Sequence, residues 1–340
     1  MLRMKTGTGN KKMSDALDAI IRERLAKARD IVIIAHVRPD GDAVGSLLGL
    51  GNGLINAGKS VQMVLEDGMP QKYMGLKNSA LVTRKIIGDY DTCIIVDSSD
   101  PARVGSVLEG HPQPDICIDH HKTNLNFAKI NLVEDEAVAT TAILATRMLN
   151  WKLDIDQAVA SCLLTGIIAD TIGFRTSNMG SEALRISAEL IDKGADLPTL
   201  YRQALVSQPV SAIRYWGAGL NRLEYEKNDI VWTSLRLDDR IKCGYDDNDD
   251  ADLINILSTV EGIRIAIIFI EQPDGRVKVS WRSHGETDVS NLAFSFGGGG
   301  HKAAAGADIK GEFSEVVADV LSASRALLSE PDTRKQTKNI

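Results

Sequence analysis

Four short segments of the sequence carry histidine and aspartate residues at spacings that could build a metal site. The predicted ligands are His36, Asp40, Asp42, Asp97, His120 and Asp170. Several carboxylates gathered in one place repel one another strongly unless cations balance them. Oxygen ligands with some imidazole suit Mn²⁺, with Mg²⁺, Fe²⁺ or Zn²⁺ as alternatives. The segments therefore predict two divalent ions that activate water and hold a phosphoryl group.

Each segment also has a plainer interpretation when it is taken alone. HVRPDGD (36–42) could be an ordinary surface loop, and an aspartate after a strand, such as Asp97, often caps the next helix. Asp170 ends an apolar helix, where the dipole disfavours a carboxylate, so a cation or solvent must compensate it. His120 and His121 could lie in a polar loop. On an extended backbone, however, the two point apart, so one can bind a metal while the other faces a substrate, with Asp119 orienting an imidazole.

A fifth segment, GGGGHKAAAG (297–306), predicts an anion-binding site. Its glycines, Gly297, Gly298, Gly299 and Gly300, let the backbone approach a ligand and present N–H groups. His301 and Lys302 add donors, and Arg282, at the end of RVKVSWRS, could bind a phosphate or a nucleobase. The alternatives are a flexible linker and a surface arginine.

Short apolar strands alternating with helices must position the first four segments. We predict strands at 31–36, 61–66, 91–97, 115–119 and 129–134, and helices from Ser14 onward and at 46–58, 138–150, 156–169 and 181–192. This order is typical of a doubly wound, parallel-sheet α/β domain over 14–195, in which ligands bind at the carboxyl ends of strands. The first helix is predicted to carry on one face Leu17, Ile20, Ile21 and Leu25. The last is predicted to carry a stripe of Leu184, Ser187, Ala188 and Ile191.

The pattern changes after about residue 195. A helical connector broken at Pro209 is expected over 196–225, followed by a smaller α/β domain over 226–328. That domain should contain a strand at 230–237, a helix at 250–262, a hairpin at 264–283 and a helix at 313–329. The inward residues of the helix at 250–262 are predicted to be Leu253, Ile256, Leu257 and Val260. Residues 1–13 and 331–340 are expected to be loose termini.

Composition excludes several classes of protein for this chain of 340 residues. Charged residues are 25% and hydrophobic residues 44%, which is typical of globular proteins rather than disordered ones. A net charge of −7 argues against binding long nucleic acid, and no apolar run is long enough to span a membrane. The four cysteines are well separated, which favours a reduced, cytoplasmic protein.

The five segments, in this order, resemble those of the DHH/DHHA1 phosphoesterases. The resemblance rests on HVRPDGDAVGS, IIVDSSD, IDHHKTN, GIIADTIGF and GGGGHKAAAG and covers about residues 14–328. The length and the SWRS…GGGGH ending are most similar to the stand-alone nanoRNase/pAp phosphatase subgroup. The resemblance implies an N-terminal DHH domain, a C-terminal DHHA1 domain and an active site in the cleft between them.

The resemblance also assigns roles to individual residues. His36, Asp40 and Asp97 would hold one manganese ion. The other ion would be held by Asp42, Asp97, His120 and Asp170, so that Asp97 bridges the two. His121 would face the scissile phosphate, and Arg282, His301 and the glycine run would bind the rest of the nucleotide.

The family implies hydrolysis of short oligonucleotides or of 3′-phosphoadenosine 5′-phosphate (pAp). The first alternative is a phosphodiesterase acting on cyclic di-AMP or its linear product pApA. Two further alternatives are a family II inorganic pyrophosphatase, which the GGGGHKAAAG ending disfavours, and a nucleotide-binding regulator without turnover, which the intact ligand set disfavours. The oligomeric state stays open, with a homodimer as one option.

Overall fold

The computed structural model describes residues 8–226, 229–285 and 287–329. The chain folds into two compact units, Met1–Ser207 and Gln208–Ile340, here called unit 1 and unit 2. None of the helices within the described ranges combines the length and apolar character needed to cross a membrane. All four cysteines are free thiols.

Unit 1 is built on a parallel sheet of five strands in the order β2-β1-β3-β4-β5. The strands are β1 Asp30–Ile34, β2 Ser60–Val64, β3 Thr92–Val96, β4 Ile116–Asp119 and β5 Ile130–Val133. The helices are α1 Thr8–Lys27, α2 Gly41–Asn56, α3 Thr140–Arg147, α4 Gln157–Asp170, α5 Ser181–Asp192 and α6 Leu197–Tyr201. The predicted α/β class with a parallel sheet is confirmed.

Both faces of the unit 1 sheet are covered, which explains why its strands are runs of isoleucine and valine. Ile31 and Ile33 of β1 point into the larger core, which helices α1 to α5 complete. Val32 and Ile34 point to the other face, where the 3-10 segment Pro101–Leu108 covers them. Alternate residues of one strand thus enter two different cores.

Unit 2 contains a mixed sheet of six strands in the order β10-β11-β9-β8-β7-β6. The strands are β6 Glu224–Glu226, β7 Ile230–Leu235, β8 Ile265–Glu271, β9 Arg276–Ser283, β10 Gly299–His301 and β11 Ala304–Lys310. The helices are α7 Val210–Leu220, α8 Leu237–Cys243, α9 Leu253–Leu257, α10 Ser290–Ser295 and α11 Phe313–Ser329. One face of the sheet packs on α10 and α11, and the other on α7 and α9.

Several predicted element boundaries were wrong. Helix α1 begins at Thr8 rather than Ser14. Helix α2 begins at Gly41 rather than at 46, because the Asp40 carboxylate accepts the N–H groups of Asp42 and Ala43 and caps it. The strand predicted at 230–237 ends at Leu235 and is followed by α8, which was not predicted. The helix predicted at 250–262 is shorter in the structure and comprises only α9. It ends because the N–H groups of Thr259 and Val260 donate to carbonyls three residues earlier, and not four.

Three predicted inward faces were correct only in part. Of the residues predicted to point inward, the buried ones are Ile21, Leu25, Ser187, Leu253 and Leu257. Ile20, Leu184 and Ile256 are 51%, 53% and 42% exposed, and Ala188 and Ile191 are exposed as well. In α5, Ala183 and Leu190 are buried instead. An amphipathic helix buries only the stripe that meets a neighbour, and the exposed residues lie outside that stripe.

Candidate functional site

Three strand ends of unit 1 meet at one edge of its sheet. Because β1, β3 and β4 are parallel neighbours, their carboxyl ends lie side by side. The segments that leave these ends carry His36, Asp97 and His120. Asp97 is buried and has a φ of 54°. This left-handed conformation costs about 1–3 kcal/mol for a residue other than glycine and clusters at functional sites.

His36, Asp40 and Asp97 form the first group of potential metal ligands. The Nε2 atom of His36 lies 3.5 Å from Asp97 Oδ2 and 3.8 Å from Asp40 Oδ2. Its Nδ1 atom lies 2.8 Å from the Val37 carbonyl, to which it donates, so Nε2 is directed toward the carboxylates. Nε2 is buried and has no hydrogen-bond partner among the described residues, which fits a nitrogen meant for a metal.

Asp42, His120 and Asp170 form the second group. His120 Nε2 lies 3.6 Å from Asp170 Oδ2 and 4.0 Å from Asp42 Oδ2. Its Nδ1 atom donates to the Ala137 carbonyl at 3.2 Å, which again directs Nε2 inward. Asp42 reaches the group from the first turn of α2, and Asp170 from the last residue of α4.

Asp97 lies between the two groups and touches both. Its Oδ2 atom faces His36, whereas its Oδ1 atom lies 3.8 Å from His120 Nε2. A carboxylate with one oxygen toward each group has the geometry needed to bridge two ions. The structure thus brings all six predicted ligands together, and the residues present fit two divalent cations. Their assignment as ligands stays a prediction.

Burial and mutual charge shift the pKa values throughout this cluster. Burial and the charge of Asp97 raise the pKa of Asp42 to about 7, and burial and Asp42 raise the pKa of Asp170 well above its usual range. Burial opposes protonation of His36 and His120, but nearby carboxylates outweigh it and raise both histidine pKa values to about 9. Burial would raise the pKa of Asp97, but the surrounding histidines, His36 above all, hold it well below its usual range. The cluster therefore needs positive charge, which protons or divalent cations can supply.

Two threonines that the sequence analysis missed hold the buried carboxylates. The backbone N–H groups of Thr140 and Thr141 donate to Asp42 Oδ2 and Oδ1 at 2.6 and 3.0 Å. The Thr141 hydroxyl donates to Asp42 Oδ1 at 2.6 Å, and the Thr140 hydroxyl to Asp97 Oδ1 at 3.0 Å. These residues begin α3, whose N-terminal dipole also favours the negative charge. The only signal in the sequence was a Thr-Thr pair near the start of a predicted helix.

Glycines allow the helices that carry Asp42 and Asp170 to pack closely. A Cβ atom on Gly45 of α2 would lie 2.6 Å from the Cys162 carbonyl of α4, and one on Gly49 would lie 2.7 Å from Leu163. A Cβ on Gly166 of α4 would lie 2.7 Å from Asp42 Oδ1. Real Cβ atoms essentially never come this close to another heavy atom. The lack of side chains at these three glycines therefore allows the close approach of α2 and α4.

His121 lies beside the second group and is held by Asp119. Its Nδ1 donates to Asp119 Oδ1 at 2.7 Å, and the Asn124 side chain donates to Asp119 Oδ2 at 2.7 Å. The His121 Nδ1 atom is also 3.7 Å from Asp97 Oδ1. Because a carboxylate can only accept, Nδ1 carries the proton and Nε2 presents its lone pair. This arrangement suits a histidine that faces a substrate.

The predicted substrate-binding residues of unit 2 share one patch of its sheet. Arg282 pairs with Ala304 across β9 and β11, and Ala304 pairs with His301 across β11 and β10. Opposite residues point to the same face, so Arg282 and His301 flank a small alanine. The Arg282 Nε atom is buried without a hydrogen-bond partner among the described residues. Burial lowers the pKa of Arg282, whereas the charge of Asp250 opposes this shift.

The glycine run has a packing role as well as an exposed side. A Cβ atom on Gly298 would lie 2.6 Å from Ala307 Cβ, and one on Gly300 would lie 2.5 Å from the Ala304 carbonyl. A Cβ atom on Gly299, in contrast, would have no neighbouring atom within 4 Å. Gly297 and Gly300 also have positive φ values, of 77° and 144°. The segment is therefore an ordered edge strand and not a flexible linker.

Comparison with known proteins identifies both units. The DHH family, N-terminal domain, matches residues 30–167, and the DHHA1 domain matches residues 239–330. A bifunctional oligoribonuclease and PAP phosphatase NrnA of Thermus thermophilus is 32% identical over 301 residues, covering 88% of this chain and 90% of the relative. The cyclic-di-AMP phosphodiesterase PdeA of Listeria monocytogenes is 23% identical and covers 85% of this chain but only 46% of its own length.

A solved structure supports the same grouping. The exopolyphosphatase-related protein from Bacteroides fragilis superposes with a TM-score of 0.85 and 26% identity, covering 93% of this chain and 98% of that one. Two domain matches, one relative above 30% identity across most of both chains, and a shared fold agree. The chain therefore belongs to the DHH/DHHA1 family of phosphoesterases, in the subgroup that includes the bifunctional oligoribonucleases and PAP phosphatases.

Proposed function

We propose that this chain uses two divalent cations, with manganese favoured, to hydrolyse short oligonucleotides and to remove the 3′-phosphate of pAp. The observation that carries the proposal is Asp97, whose two oxygens face two separate groups of ligands. Both activities are those of the Thermus thermophilus relative. Two ions in such a site supply water activation and neutralise charge on the phosphoryl group.

The residues of the chain divide the remaining work. His36 and His120 have their Nδ1 atoms held by backbone carbonyls, so each offers Nε2 in a fixed orientation. His121 faces the scissile phosphate, and Asp119 holds its proton on Nδ1. Arg282, His301 and the exposed side of the glycine run at Gly299 bind the rest of the nucleotide, because they offer cationic and backbone donors on one face of a sheet.

Purified protein with added Mn²⁺ should be tested on a panel of five substrates: dinucleotide RNA, pAp, pApA, cyclic di-AMP and pyrophosphate. We expect turnover of dinucleotide RNA and pAp. Preference for cyclic di-AMP or pApA would favour the second candidate function, which the similarity to the Listeria relative supports. Preference for pyrophosphate, or no turnover of any substrate, would contradict the proposal.

The metal assignment can be tested by elemental analysis of variants. Asp97→Ala should lose both ions because it touches both groups, whereas His36→Ala should mainly weaken one. Asp192→Ala, at the exposed end of α5, is the matched control and should retain both. Full retention of both ions by Asp97→Ala would refute the proposal that the Asp97 carboxylate is a ligand of both.

The binding role of Arg282 can be separated from the metal site. Arg282→Ala should raise KM for nucleotides by about 10-fold or more, because it removes a charge-assisted donor. Metal content and activity on bis-(p-nitrophenyl) phosphate, which lacks a nucleotide, should be unchanged. Equal losses on both substrates would assign Arg282 another role.

A further inference from the structure

Arg103 is a cation beside the acidic cluster of unit 1, and none of the sequence motifs indicated it. Its Nη1 atom lies 3.4 Å from His121 Nε2. Its charge also acts on His36, where it opposes the upward shift of the histidine pKa. Arg103 is half-buried, so part of the residue remains exposed to solvent.

The turn that carries Arg103 is fixed to the ends of neighbouring strands. The Val37 N–H, just after β1, donates to the Arg103 carbonyl at 2.7 Å. Asp100, after β3, accepts the Arg103 N–H at 3.1 Å. Glu66, after β2, accepts the backbone N–H and the hydroxyl of Ser106, each at 2.8 Å. The backbone of Arg103 is thus held before any ligand arrives, which lowers the entropy lost on binding.

The acids around this turn do not neutralise Arg103. Within residues 8–226, 229–285 and 287–329, none of the ion pairs includes its guanidinium. Asp100 caps the turn and Glu66 binds Ser106, so both carboxylates are already engaged. A fixed guanidinium next to an acidic cluster would ordinarily pair with one of its carboxylates. Its contact is instead with His121, the residue that the proposed function places against the scissile phosphate.

We propose that Arg103 binds the phosphoryl group that undergoes hydrolysis. The inference rests on the proposed function and adds a substrate-binding residue to it. A guanidinium is always charged and presents paired N–H donors that match two oxygens of a tetrahedral oxyanion. Arg103 donates to His121 through Nη1, and its other nitrogens remain for the phosphoryl oxygens. Arg103 and His121 then contact the same group from neighbouring positions.

The test measures binding of inorganic phosphate to the Mn²⁺-loaded protein by calorimetry. Arg103→Gln should weaken phosphate binding by at least about 10-fold, and Arg103→Lys should weaken it less, because it keeps the charge but loses the paired donors. Arg22→Gln, an exposed arginine on α1, is the matched control and should bind phosphate as the wild type does. Metal content should be the same in all four proteins.

The outcomes separate this inference from the proposed function. Unchanged phosphate affinity in Arg103→Gln with a lower kcat would show that Arg103 only positions His121, and would overturn the inference. Loss of metal in both Arg103 variants, or no phosphate binding by the wild type, would also overturn it. Phosphate binding that depends on Arg103 in a protein that hydrolyses no nucleotide would leave the inference standing and refute the proposed function.

Discussion

Adding one methyl group at Gly166 should distort the metal cluster without changing any ligand. A Cβ atom at this position would lie 2.5 Å from the Thr141 hydroxyl oxygen and 2.7 Å from Asp42 Oδ1. It would also collide with the Thr141 methyl group. The hydroxyl of Thr141 donates to Asp42 at 2.6 Å, so the new atom must push both partners of this hydrogen bond.

The expected cost follows from three contributions. Overpacking of a well-packed core costs about 1–3 kcal/mol. Loss of a hydrogen bond to a charged group costs about 1.5–3 kcal/mol. Alanine is a better helix former than glycine, and this difference stabilises the variant by about 1 kcal/mol. We therefore expect Gly166→Ala to lower the free energy of unfolding by about 1.5–5 kcal/mol. Mn²⁺ affinity should also fall, because Asp42 is displaced.

Urea unfolding with EDTA and calorimetric titration with Mn²⁺ would measure the two effects. Gly217→Ala is the matched control, because Gly217 lies in α7, is exposed and would meet nothing within 4 Å. That variant should be neutral or slightly stabilised. Gly166→Ala combined with Thr141→Ser, which removes the colliding methyl group, should recover part of the loss. Wild-type stability and Mn²⁺ affinity in Gly166→Ala would refute the reasoning.

Three further predictions test the electrostatics, the histidine and the glycine run. Folding raises the pKa values of His36 and His120 from 6.5 to about 9. The Tm of the metal-free protein should therefore fall as pH rises from 6.5 to 9, and the increase in Tm caused by Mn²⁺ should become larger. A metal-free Tm that rises over this interval would contradict the pKa directions. Asp119→Asn should lower kcat by about 10- to 100-fold with metal content unchanged, since it weakens the hold on the neighbouring histidine; steady-state kinetics showing wild-type kcat would exclude this role. Gly298→Ala should destabilise unit 2 by about 1–3 kcal/mol in urea unfolding. Gly299→Ala should change the stability by less than about 0.5 kcal/mol. Equal effects would mean that packing does not distinguish the two glycines.

The sequence by itself determined which residue types could form the site and at which edge of the sheet they would lie. Apolar runs ending in histidine or aspartate predicted the strands before His36, Asp97 and His120, because buried parallel strands are short and continuously apolar. The helix at 181–192 was predicted with its observed bounds. Its buried face was predicted only in part, since Ser187 is buried as expected but Leu184 is exposed and Ala183 is buried instead.

Only the tertiary structure decided how the site is supported. Thr141 contacts Asp42 across 99 residues of sequence, and Arg103 contacts His121 across 18. Such contacts leave no periodic signal, because they depend on how the chain folds back on itself. Gly166 matters through the side chain that it lacks, so its importance is visible only when the neighbouring helix is in place. Local pattern thus predicted the ligands, whereas contacts distant in sequence determined their orientation and the distances between them.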